Sequence, residues 1–365
     1  MSDETVLITG VPGLIGSGLL ERLVETRDLD TEFVCLVESR YRALSRRFID
    51  TLGDDSHRVM IVTGDITYPY LRLGSDYVDL TDRVTEIFHL AAVYTLGVDA
   101  DVAERVNVDG TEHVLDFATR CDRLDRFHHM STCYVSGRHD GLFTEDDVID
   151  EPDFNNAYER SKHAAEAMVR RRATEGLDVT IYRPSIVVGD SDTGFTTKYD
   201  GLYFLLQLLD AQPDIAVFPR IGDPRAVEFN VVPRDFVVDA IAHISKQAES
   251  VNQTYHLCDP HPPTVKKLVT ESGWAMGRAV VFIPTPRRLL ELEIALMRYF
   301  GLTSIDPAAL AYVDLPTSYA TANTRRALQG TPIEVPPVTG YVGRLAKFMR
   351  AHPTPPSVAL YTDSR

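Results

Sequence analysis

Two side chains four residues apart, Tyr158 and Lys162, are the best candidates in this sequence for moving a proton. The segment Tyr158–Val169 has a helical pattern, and this spacing puts both side chains on the same face of a helix. A phenol, with a pKa of about 10, is a poor acid–base group at neutral pH. A lysine ammonium one turn away stabilises the phenolate and lowers that pKa. The hydroxyl of Thr132 can orient the same substrate oxygen, so the three residues predict acid–base chemistry.

The start of the chain has a glycine-rich pattern that predicts a binding site to go with this chemistry. The apolar run Val6–Thr9 ends in three glycines, and the amphipathic segment Leu19–Val24 follows. This order is typical of a buried strand, a tight turn and a helix. Glycine permits a sharp turn at Gly10, backbone approach to a pyrophosphate at Gly13, and close packing of the helix at Gly16. The positive end of the helix faces the phosphates, which favours a dinucleotide site over an ordinary β–α turn.

Strand and helix patterns alternate over about the first 190 residues. Further strands are predicted at Glu32–Glu38, Arg58–Asp65, Glu86–Ala92, Arg126–Thr132 and Asp178–Pro184. Alternation of this kind predicts an α/β fold, a Rossmann-type doubly wound parallel sheet with helices on both faces. A short strand at Thr254–Leu257 can join the same sheet.

The alternation of strand and helix patterns ends beyond Gly189, where a loop and apolar helical patterns follow. The helices are predicted at Leu202–Leu209, Phe236–Ser245 and Leu289–Phe300. We therefore expect a dinucleotide-binding domain from residues 1–188 plus 229–258. Residues 189–228 plus 259–350 are expected to form a smaller, mostly helical substrate region, and residues 351–365 a tail. The proline-rich stretch from Pro332 to Pro356 is expected to wrap around the protein rather than pack into it.

Composition excludes several classes of partner. The chain has 365 residues, of which 44% are apolar, and a net charge of −16, which disfavours nucleic acid. The basic run Arg170–Arg172 is interpreted as a solvated helix face. The four cysteines lack metal-type spacing and are expected to be free thiols in a reducing cytoplasm: Cys35, Cys121, Cys133 and Cys258. No signal peptide precedes the first strand, and no apolar run reaches the ~18 residues of a membrane span, so we predict a cytoplasmic protein without a transmembrane segment or metal.

The end of the second predicted strand bears on the choice of dinucleotide. Glu38 lies where this fold binds a ribose 2′-hydroxyl, which favours NAD. Four arginines follow, Arg40, Arg42, Arg46 and Arg47. Two interpretations stay open for them: a cradle for the 2′-phosphate of NADP, or the polar face of a helix running to Leu52. Because the strand fixes the direction of Glu38, NAD is favoured over NADP by a narrow margin.

Other candidate cofactor residues lie at the ends of the remaining strands. Asp65 can meet the adenine edge, and the small residues Ala91 and Ala92 let a cofactor pass closely. Asn107 can brace the backbone between strands, and His89 is interpreted as structural. The full candidate cofactor-binding set is Gly10, Gly13, Leu14, Ile15, Gly16, Glu38, Arg40, Asp65, Ile66, Ala91, Ala92, Asn107, Tyr158, Lys162, Pro184 and Ser185.

These motifs, in this order, resemble the extended short-chain dehydrogenase/reductase (SDR) family over roughly residues 1–260. The matching pieces are Thr9–Gly16, Gly64–Asp65, His89–Ala92, Asn107–Thr111, Ser131–Thr132, Tyr158-x-x-x-Lys162 and Arg183–Ser185. The resemblance implies a Thr132, Tyr158 and Lys162 triad, with Thr132 in place of the commoner serine. It also implies that Lys162 holds the nicotinamide ribose and that hydride passes between NAD or NADP and a substrate carbon.

Within that family the chain is most similar to the thioester-reductase and fatty-acyl-reductase (male sterility) branch. The cues are Ser131–Val135, Phe229–Asp235 and Tyr255–Leu257, which hydroxysteroid dehydrogenases share in part. That branch usually carries arginine where this chain has Glu38. The resemblance implies an acyl thioester, an aldehyde or another apolar carbonyl as substrate. The segment 202–209 is interpreted as a tunnel lining, a lid or a core helix, and the segment 289–300 as one of these or a membrane-surface contact.

Three other functions stay open at this stage. A nucleotide-sugar epimerase uses the same fold, although Cys133 and Tyr134 stand where a sugar dehydratase has acidic residues. A hydroxysteroid-type dehydrogenase shares several motifs. A non-catalytic dinucleotide sensor is disfavoured because such proteins usually lose the Tyr–Lys pair, which this chain keeps. The expected partners are a small-molecule substrate and, as a possibility, a second copy of the chain in a homodimer.

Overall fold

The computed structural model describes residues 4–95, 97–220, 223–286, 288–290, 292, 310–312 and 314–356. Its strands are β1 (Thr5–Thr9), β2 (Glu32–Val37), β3 (Val59–Thr63), β4 (Glu86–His89), β5 (Arg126–Met130), β6 (Gly141–Phe143), β7 (Val179–Pro184), β8 (Ile186–Val188), β9 (Ile215–Arg220), β10 (Val231–Pro233), β11 (Gln253–Leu257), β12 (Ala279–Pro284) and β13 (Thr317–Tyr319). Its helices are α1 (Leu14–Thr26), α2 (Arg42–Asp50), α3 (Asp76–Arg83), α4 (Ala100–Ala103), α5 (Gly110–Ala118), α6 (Ala157–Thr174), α7 (Leu202–Asp210), α8 (Arg234–Ile244), α9 (Val265–Ala275), α10 (Ala322–Ala327) and α11 (Val338–Ala351).

A seven-stranded sheet in the order β11-β7-β5-β4-β1-β2-β3 organises the molecule. All neighbouring strands in it are parallel. The apolar run in β1 is buried on both faces, which is typical of a strand inside a parallel sheet. Thr9 of β1 lies opposite His89 of β4 and Leu36 of β2, so the three strands end at one edge. The order reverses between β1 and β4, where such sheets leave a ligand crevice.

Helices cover both faces of this sheet, which confirms the predicted doubly wound fold. On one face, Leu19 and Leu23 of α1 share a core cluster with Val237 and Ile241 of α8. On the other face, helices α3, α5 and α6 pack through a second cluster. The predicted strand at residues 254–257 is β11, which pairs with β7 at the sheet edge.

A third cluster forms the core of a smaller lobe. It joins α7, α9 and α11 with β8 and β10. Its members from α11 include Tyr341, Val342 and Leu345, all buried. The expectation that the stretch from Pro332 to Pro356 wraps without packing is therefore wrong, because an amphipathic helix lies between its prolines. Of the predicted helix 289–300, residues 291 and 293–300 lie outside the described residues.

Candidate active site

The turn between β1 and α1 forms one wall of a large cavity. The Gly13 N–H donates to the Gly10 carbonyl oxygen at 2.8 Å, and Gly10 has a φ of 92°. Helix α1 begins at Leu14, with Gly13 as an N-cap that has no side-chain hydrogen bond. The first N–H groups of a helix have no acceptor within the helix. Leu14, Ile15 and Gly16 line the cavity, so this helix end is suited to a phosphate.

Two of these glycines are also required by the turn itself. A Cβ on Gly13 would lie 2.7 Å from the Gly10 carbonyl oxygen, and one on Gly16 would lie 2.5 Å from the same atom. Any side chain at either position must therefore push the loop backbone apart. This local constraint adds to the approach of a pyrophosphate that the sequence predicts for Gly13.

A further glycine, Gly18, was missed by the sequence reasoning. A Cβ there would meet Nη2 of Arg234 at 2.3 Å, because the guanidinium lies against α1. Nε of Arg234 donates to the Leu14 carbonyl oxygen at 3.0 Å, and the group also lies over the ring of Phe195. Arg234 thus ties α8 to the first turn of α1. No spacing rule connects positions so far apart in the sequence.

The end of β2 carries an ion pair on the cavity wall. The Glu38 carboxylate accepts from both Nε and Nη2 of Arg40, at 2.8 and 3.0 Å. Both side chains are exposed, and the Arg40 guanidinium stacks over the Tyr41 ring. Arg42 turns away toward β3 and donates to Thr63 Oγ1 at 2.8 Å. Of the two interpretations of these arginines, Arg42 follows the helix-face one, and Arg40 lines the cavity next to Glu38.

Asp65 and Ile66, which follow β3, line the same end of the cavity. The Asp65 carboxylate accepts from the backbone N–H and the hydroxyl of Thr67. Its own N–H donates to the Leu71 carbonyl oxygen at 2.8 Å. That carbonyl belongs to a turn in which Tyr70, Leu71 and Arg72 all have positive φ, a conformation uncommon outside glycine. The turn closes over Gly64, where a Cβ would lie 2.5 Å from the same oxygen.

The wall after β4 is formed by Ala91 and Ala92, as predicted, but Asn107 lies behind it. Asn107 is buried, and its amide both accepts from the Val93 N–H and donates to the Val93 carbonyl oxygen, at 2.8 and 2.9 Å. Its Nδ2 also donates to Ser161 Oγ. These bonds engage the oxygen and both amide hydrogens of the Asn107 side chain. Asn107 therefore braces the wall and is not among the residues that line the cavity.

His89 is structural, as interpreted. Its ring nitrogens contact the hydroxyls of Thr9 and Thr111 at 2.9 and 3.1 Å. Burial, with a smaller effect of Lys162, lowers the pKa of His89 to about 3, so the ring is neutral.

Tyr158 and Lys162 occupy the first two turns of α6 and line the same cavity as Thr132. Helix α6 begins there because Asn156 caps it, accepting from the Glu159 N–H at 3.0 Å. Nζ of Lys162 donates to the Met130 carbonyl oxygen at 2.7 Å, at the end of β5. Thr132 lies two residues beyond the end of that strand and is close enough to Tyr158 to lower its pKa. The structure thus brings the three predicted residues together.

The predicted lowering of the Tyr158 pKa depends on Lys162 and on the positive charge of a bound nicotinamide. Among the protein groups alone, burial has the largest effect on the pKa of Tyr158 and raises it, while Thr132 lowers it. Burial also lowers the pKa of Lys162 to about 8, opposed by the nearby Glu166. The phenol is therefore a protonated donor at neutral pH.

A buried ion-pair network supports the end of β5 and was not anticipated. Glu166 accepts from Ser131 Oγ at 2.6 Å, from Arg170 Nε at 2.8 Å, and from two nitrogens of Arg183. Burial favours the neutral acid, but Arg183, Arg170 and Ser131 together outweigh it, and the pKa of Glu166 is lowered well below its usual range. The sequence signal was present, since Arg183 precedes Pro184 in a quoted motif, but that motif does not name its partner.

The cavity has a volume of about 2030 Å³ and extends beyond the Tyr158 phenol into the smaller lobe. Pro184 and Ser185 line it near the junction, and apolar side chains line the far part: Leu205, Leu208, Phe229, Leu268, Val269 and Leu290. Helix α7 serves two of the three predicted roles, core helix and cavity lining, because Leu206 and Leu209 pack in the lobe core while Leu205 and Leu208 line the cavity. Pockets for single small ligands usually measure about 300–1,000 Å³, so this cavity exceeds the usual size for one such ligand.

Other predicted features concern cysteine, metal and membrane chemistry. All four cysteines are free and buried. Within the described ranges, histidine, cysteine and carboxylate side chains form no group of three or more that could hold a metal ion. Among the helices that the structure describes, none is both long and apolar enough to cross a membrane.

The sheet order, the glycine turn and the Thr–Tyr–Lys arrangement define an extended short-chain dehydrogenase/reductase. Residues 8–241 match a family model described as Male sterility protein. The chain belongs to this family, which confirms the predicted branch.

Relatives and solved structures agree with this assignment. The chain is 28% identical over 91% of its length to the non-canonical nonribosomal peptide synthetase FrzA of a Cladobotryum species, covering 34% of that protein. It is 27% identical, with the same coverage, to aldehyde reductase lnaA of Aspergillus flavus. The terminal R domain of the myxalamid PKS-NRPS pathway superposes with a TM-score of 0.85 at 27% identity, over 97% of this chain and 92% of that one. The chain spans about a third or less of the curated relatives it matches.

Proposed function

We propose that this chain uses NAD(P)H to reduce a carbonyl in an apolar substrate, either an acyl thioester or an aldehyde. One observation carries the proposal: the Thr132, Tyr158 and Lys162 side chains line the same cavity as the glycine turn, and apolar walls continue beyond them. An apolar acyl chain gains free energy by leaving water for such walls, at about 25 cal/mol per Å². The relatives named as reductases, and the similar R domain, support the same chemistry.

Each residue of the triad has a distinct role in this proposal. The nicotinamide, when bound, supplies the hydride to the carbonyl carbon. Tyr158 gives its phenolic proton to the carbonyl oxygen, and Thr132 orients that oxygen. Lys162, anchored on the Met130 carbonyl, holds the nicotinamide ribose and offsets the phenolate charge that forms. An aldehyde becomes an alcohol, whereas a thioester becomes a hemithioacetal whose collapse releases an aldehyde and a thiol.

Each of the remaining candidate residues is assigned to one part of the dinucleotide. The turn Gly10–Gly16 and the start of α1 hold the pyrophosphate, and Asp65 with Ile66 holds the adenine. Ala91 and Ala92 allow close passage, and Pro184 with Ser185 lies at the nicotinamide end. This division goes with a dinucleotide domain of residues 1–188 plus 229–258. Residues 189–228 plus 259–350 then hold the substrate, with 351–365 as a tail.

The Glu38–Arg40 pair supports NAD by a narrow margin. A ribose 2′-hydroxyl can donate to the Glu38 carboxylate without separating the pair. A 2′-phosphate must draw Arg40 away and lie against a like charge, at a cost of ~1–4 kcal/mol. Titrating the chain with both dinucleotides tests this, and clearly tighter binding of NADP(H) contradicts it.

A turnover screen tests the function itself. Acyl-coenzyme A thioesters, aldehydes, sterols and nucleotide sugars are each offered with both reduced cofactors, and Tyr158→Phe serves as the inactive control. Oxidation of cofactor with thioesters or aldehydes is the expected result. Conversion of nucleotide sugars without net oxidation of cofactor identifies the epimerase alternative. Cofactor oxidation confined to ketosteroids identifies the hydroxysteroid one, and cofactor binding without conversion of any substrate identifies the sensor. Light scattering of the same preparation tests the predicted homodimer.

A further inference from the structure

Arg234, the first residue of α8, is a cation buried against the helix that begins at the glycine turn. It is 9% exposed. Its Nε donates at 3.0 Å to the carbonyl oxygen of Leu14, which lies 220 positions earlier in the chain. Leu14 is the first residue of α1 and lines the cavity beside Gly13. The N–H groups of this first turn have no acceptor within the helix. Arg234 therefore holds the turn whose N–H groups are free to bind a phosphate.

This contact explains why α1 has a glycine at position 18. Glycine inside a helix is less stable than alanine, so its presence needs a reason. A Cβ on Gly18 would lie 2.3 Å from Nη2, 2.6 Å from Nε and 2.7 Å from Cζ of Arg234. All three atoms belong to the guanidinium, which lies directly on the helix backbone at this point. An alanine at position 18 must push the guanidinium away.

The charge of Arg234 lies where an anion would favour it. The N-terminus of a helix is already positive, so a cation beside the first two turns of α1 is unfavourable unless an anion binds there. Glu21 lies 3.7 Å from Nη2, but its side chain is 40% exposed, and a long ion pair at the surface contributes little. The guanidinium also lies over the Phe195 ring, with Cζ 5.7 Å from the ring centre. The placement of this cation therefore points to a negatively charged ligand at the start of α1.

We propose that Arg234 is a positioning residue for the diphosphate of the dinucleotide. It fixes the first two turns of α1 through Leu14 and Gly18, and its charge strengthens the site for an anion. The proposal rests on the dinucleotide site of the proposed function, but not on the reduction of a carbonyl. Because Arg234 acts on the phosphates, it should affect the binding of ADP and leave the binding of adenosine unchanged.

The size of this effect follows from the distance. Helix α1 rises about 1.5 Å per residue, so the guanidinium at Gly18 lies about 6 Å along the axis from Leu14. A unit charge on the order of 10 Å from an anion, near a protein surface, changes the affinity by about tenfold. We expect a loss of this order when the charge of Arg234 is removed.

The test compares ADP with adenosine, which differ only by the diphosphate. Ligand-observed NMR titration measures both, because it also detects weak binding. In Arg234→Ala, ADP affinity should fall about tenfold, while adenosine affinity should stay close to wild type. Arg225→Ala is the matched control, because it removes an exposed arginine, and it should keep both wild-type affinities. A purely structural role lowers both affinities alike. Equal losses for the two ligands, or no loss, overturn the proposal.

A second variant covers the case in which Arg234→Ala does not fold. Gly18→Ala displaces the guanidinium while it keeps the arginine and adds a good helix former, so ADP affinity should fall and adenosine affinity should not. In the double variant Gly18→Ala/Arg234→Ala the methyl no longer meets a guanidinium, so the two losses should not add. Gly340→Ala is the control, because a Cβ there meets nothing within 4 Å. Additive losses, or wild-type ADP affinity in folded Gly18→Ala, overturn the proposal.

These binding measurements need no turnover, so they separate this proposal from the proposed function. If ADP affinity depends on Arg234 as expected but no carbonyl substrate is reduced, only the proposed function is contradicted. If reduction occurs but ADP and adenosine respond alike to Arg234→Ala, only the role of Arg234 is contradicted. A wild-type protein that binds neither ligand contradicts the dinucleotide site and overturns both.

Discussion

The two ends of the cavity are built in different ways. At the dinucleotide end, the wall consists of strand ends and the turns that follow them, so backbone geometry places Gly13, Asp65 and Ala91. At the end proposed for the substrate, apolar side chains of α7 and α9 pack together, and Tyr312 is held beside the cavity by hydrogen bonds with Asn156 and Glu159. A site made of strand ends follows from the strand pattern, whereas one made of packed side chains depends on contacts between distant segments. Changes that disturb the backbone of the first end should be severe, whereas changes to single side chains that line the cavity should be graded.

The largest effect is expected from Lys162→Ala. The variant loses the charge beside Tyr158 and leaves the buried Met130 carbonyl oxygen without its donor. We expect turnover to fall by roughly 10²–10⁴ and cofactor affinity to fall as well. Steady-state kinetics and calorimetric titration measure the two losses. Lys266→Ala, on the exposed surface of α9, is the matched control and should behave as wild type.

Tyr158→Phe should lose turnover to a similar degree, roughly 10²–10⁴, but keep its cofactor affinity. The ring remains and only the proton donor is removed. Single-turnover oxidation of bound cofactor measures the chemical step directly. The surface variant Tyr70→Phe is the control. Near-normal turnover in Tyr158→Phe would contradict the proposed role of Tyr158 as the proton donor.

Gly13→Val tests whether the dinucleotide end tolerates any side chain. Because the Cβ would lie 2.7 Å from the Gly10 carbonyl oxygen, the loop must deform as well as lose its phosphate site. We expect the free energy of unfolding to fall by about 1–3 kcal/mol and added dinucleotide to give no thermal stabilisation. Gly340→Ala is the control, since a Cβ there meets nothing within 4 Å. Wild-type affinity for the dinucleotide would show that the turn is only structural.

Leu205→Ala should have a graded effect at the substrate end. The side chain lines the cavity from α7, and shortening it removes apolar contact with the substrate. We expect KM for a long-chain substrate to rise about tenfold, with little change in kcat or cofactor affinity. Leu142→Ala, at an exposed position of β6, is the control. If Leu205→Ala and Leu142→Ala have equal KM values for short-chain substrates and also for long-chain substrates, the acyl chain binds elsewhere.

The smallest effect is expected from Arg40→Ala. Its partner Glu38 keeps its position at the strand end, so NAD affinity should change less than threefold, or about 0.6 kcal/mol. Glu38→Arg, in contrast, should shift the preference toward NADP. Affinities of both variants for both dinucleotides test this pair. A large loss of NAD affinity in Arg40→Ala would mean that the arginine itself holds the ribose.

The predicted strands and the triad followed from local pattern. β-Branched and aliphatic runs such as Val6–Ile8 are buried in the central sheet, and a spacing of four residues did put Tyr158 and Lys162 on one helix face. Contacts between residues far apart in the sequence could not be predicted from local pattern. The direction of Arg42, the brace formed by Asn107 and the packing of α11 depend on partners that no local pattern names. The burial of the Tyr158 phenol, which raises its pKa, also depends on the tertiary fold and does not follow from the spacing of Tyr158 and Lys162.

The contact of Arg234 with Gly18 bears on how this chain can be recombined with others. Helix α8 comes after residues 189–228 in the sequence, yet its first residue holds the first turn of α1. The segment 189–228 therefore lies between two parts of the chain that contact each other, through Arg234 with α1 and through β8 with β10. A chimera that exchanges the segment between relatives should join before Ile186 and after Val231, where β8 and β10 run side by side. A junction placed beyond Arg234 brings in the donor's residue at position 234. That residue must then pack against Gly18 in the recipient's α1.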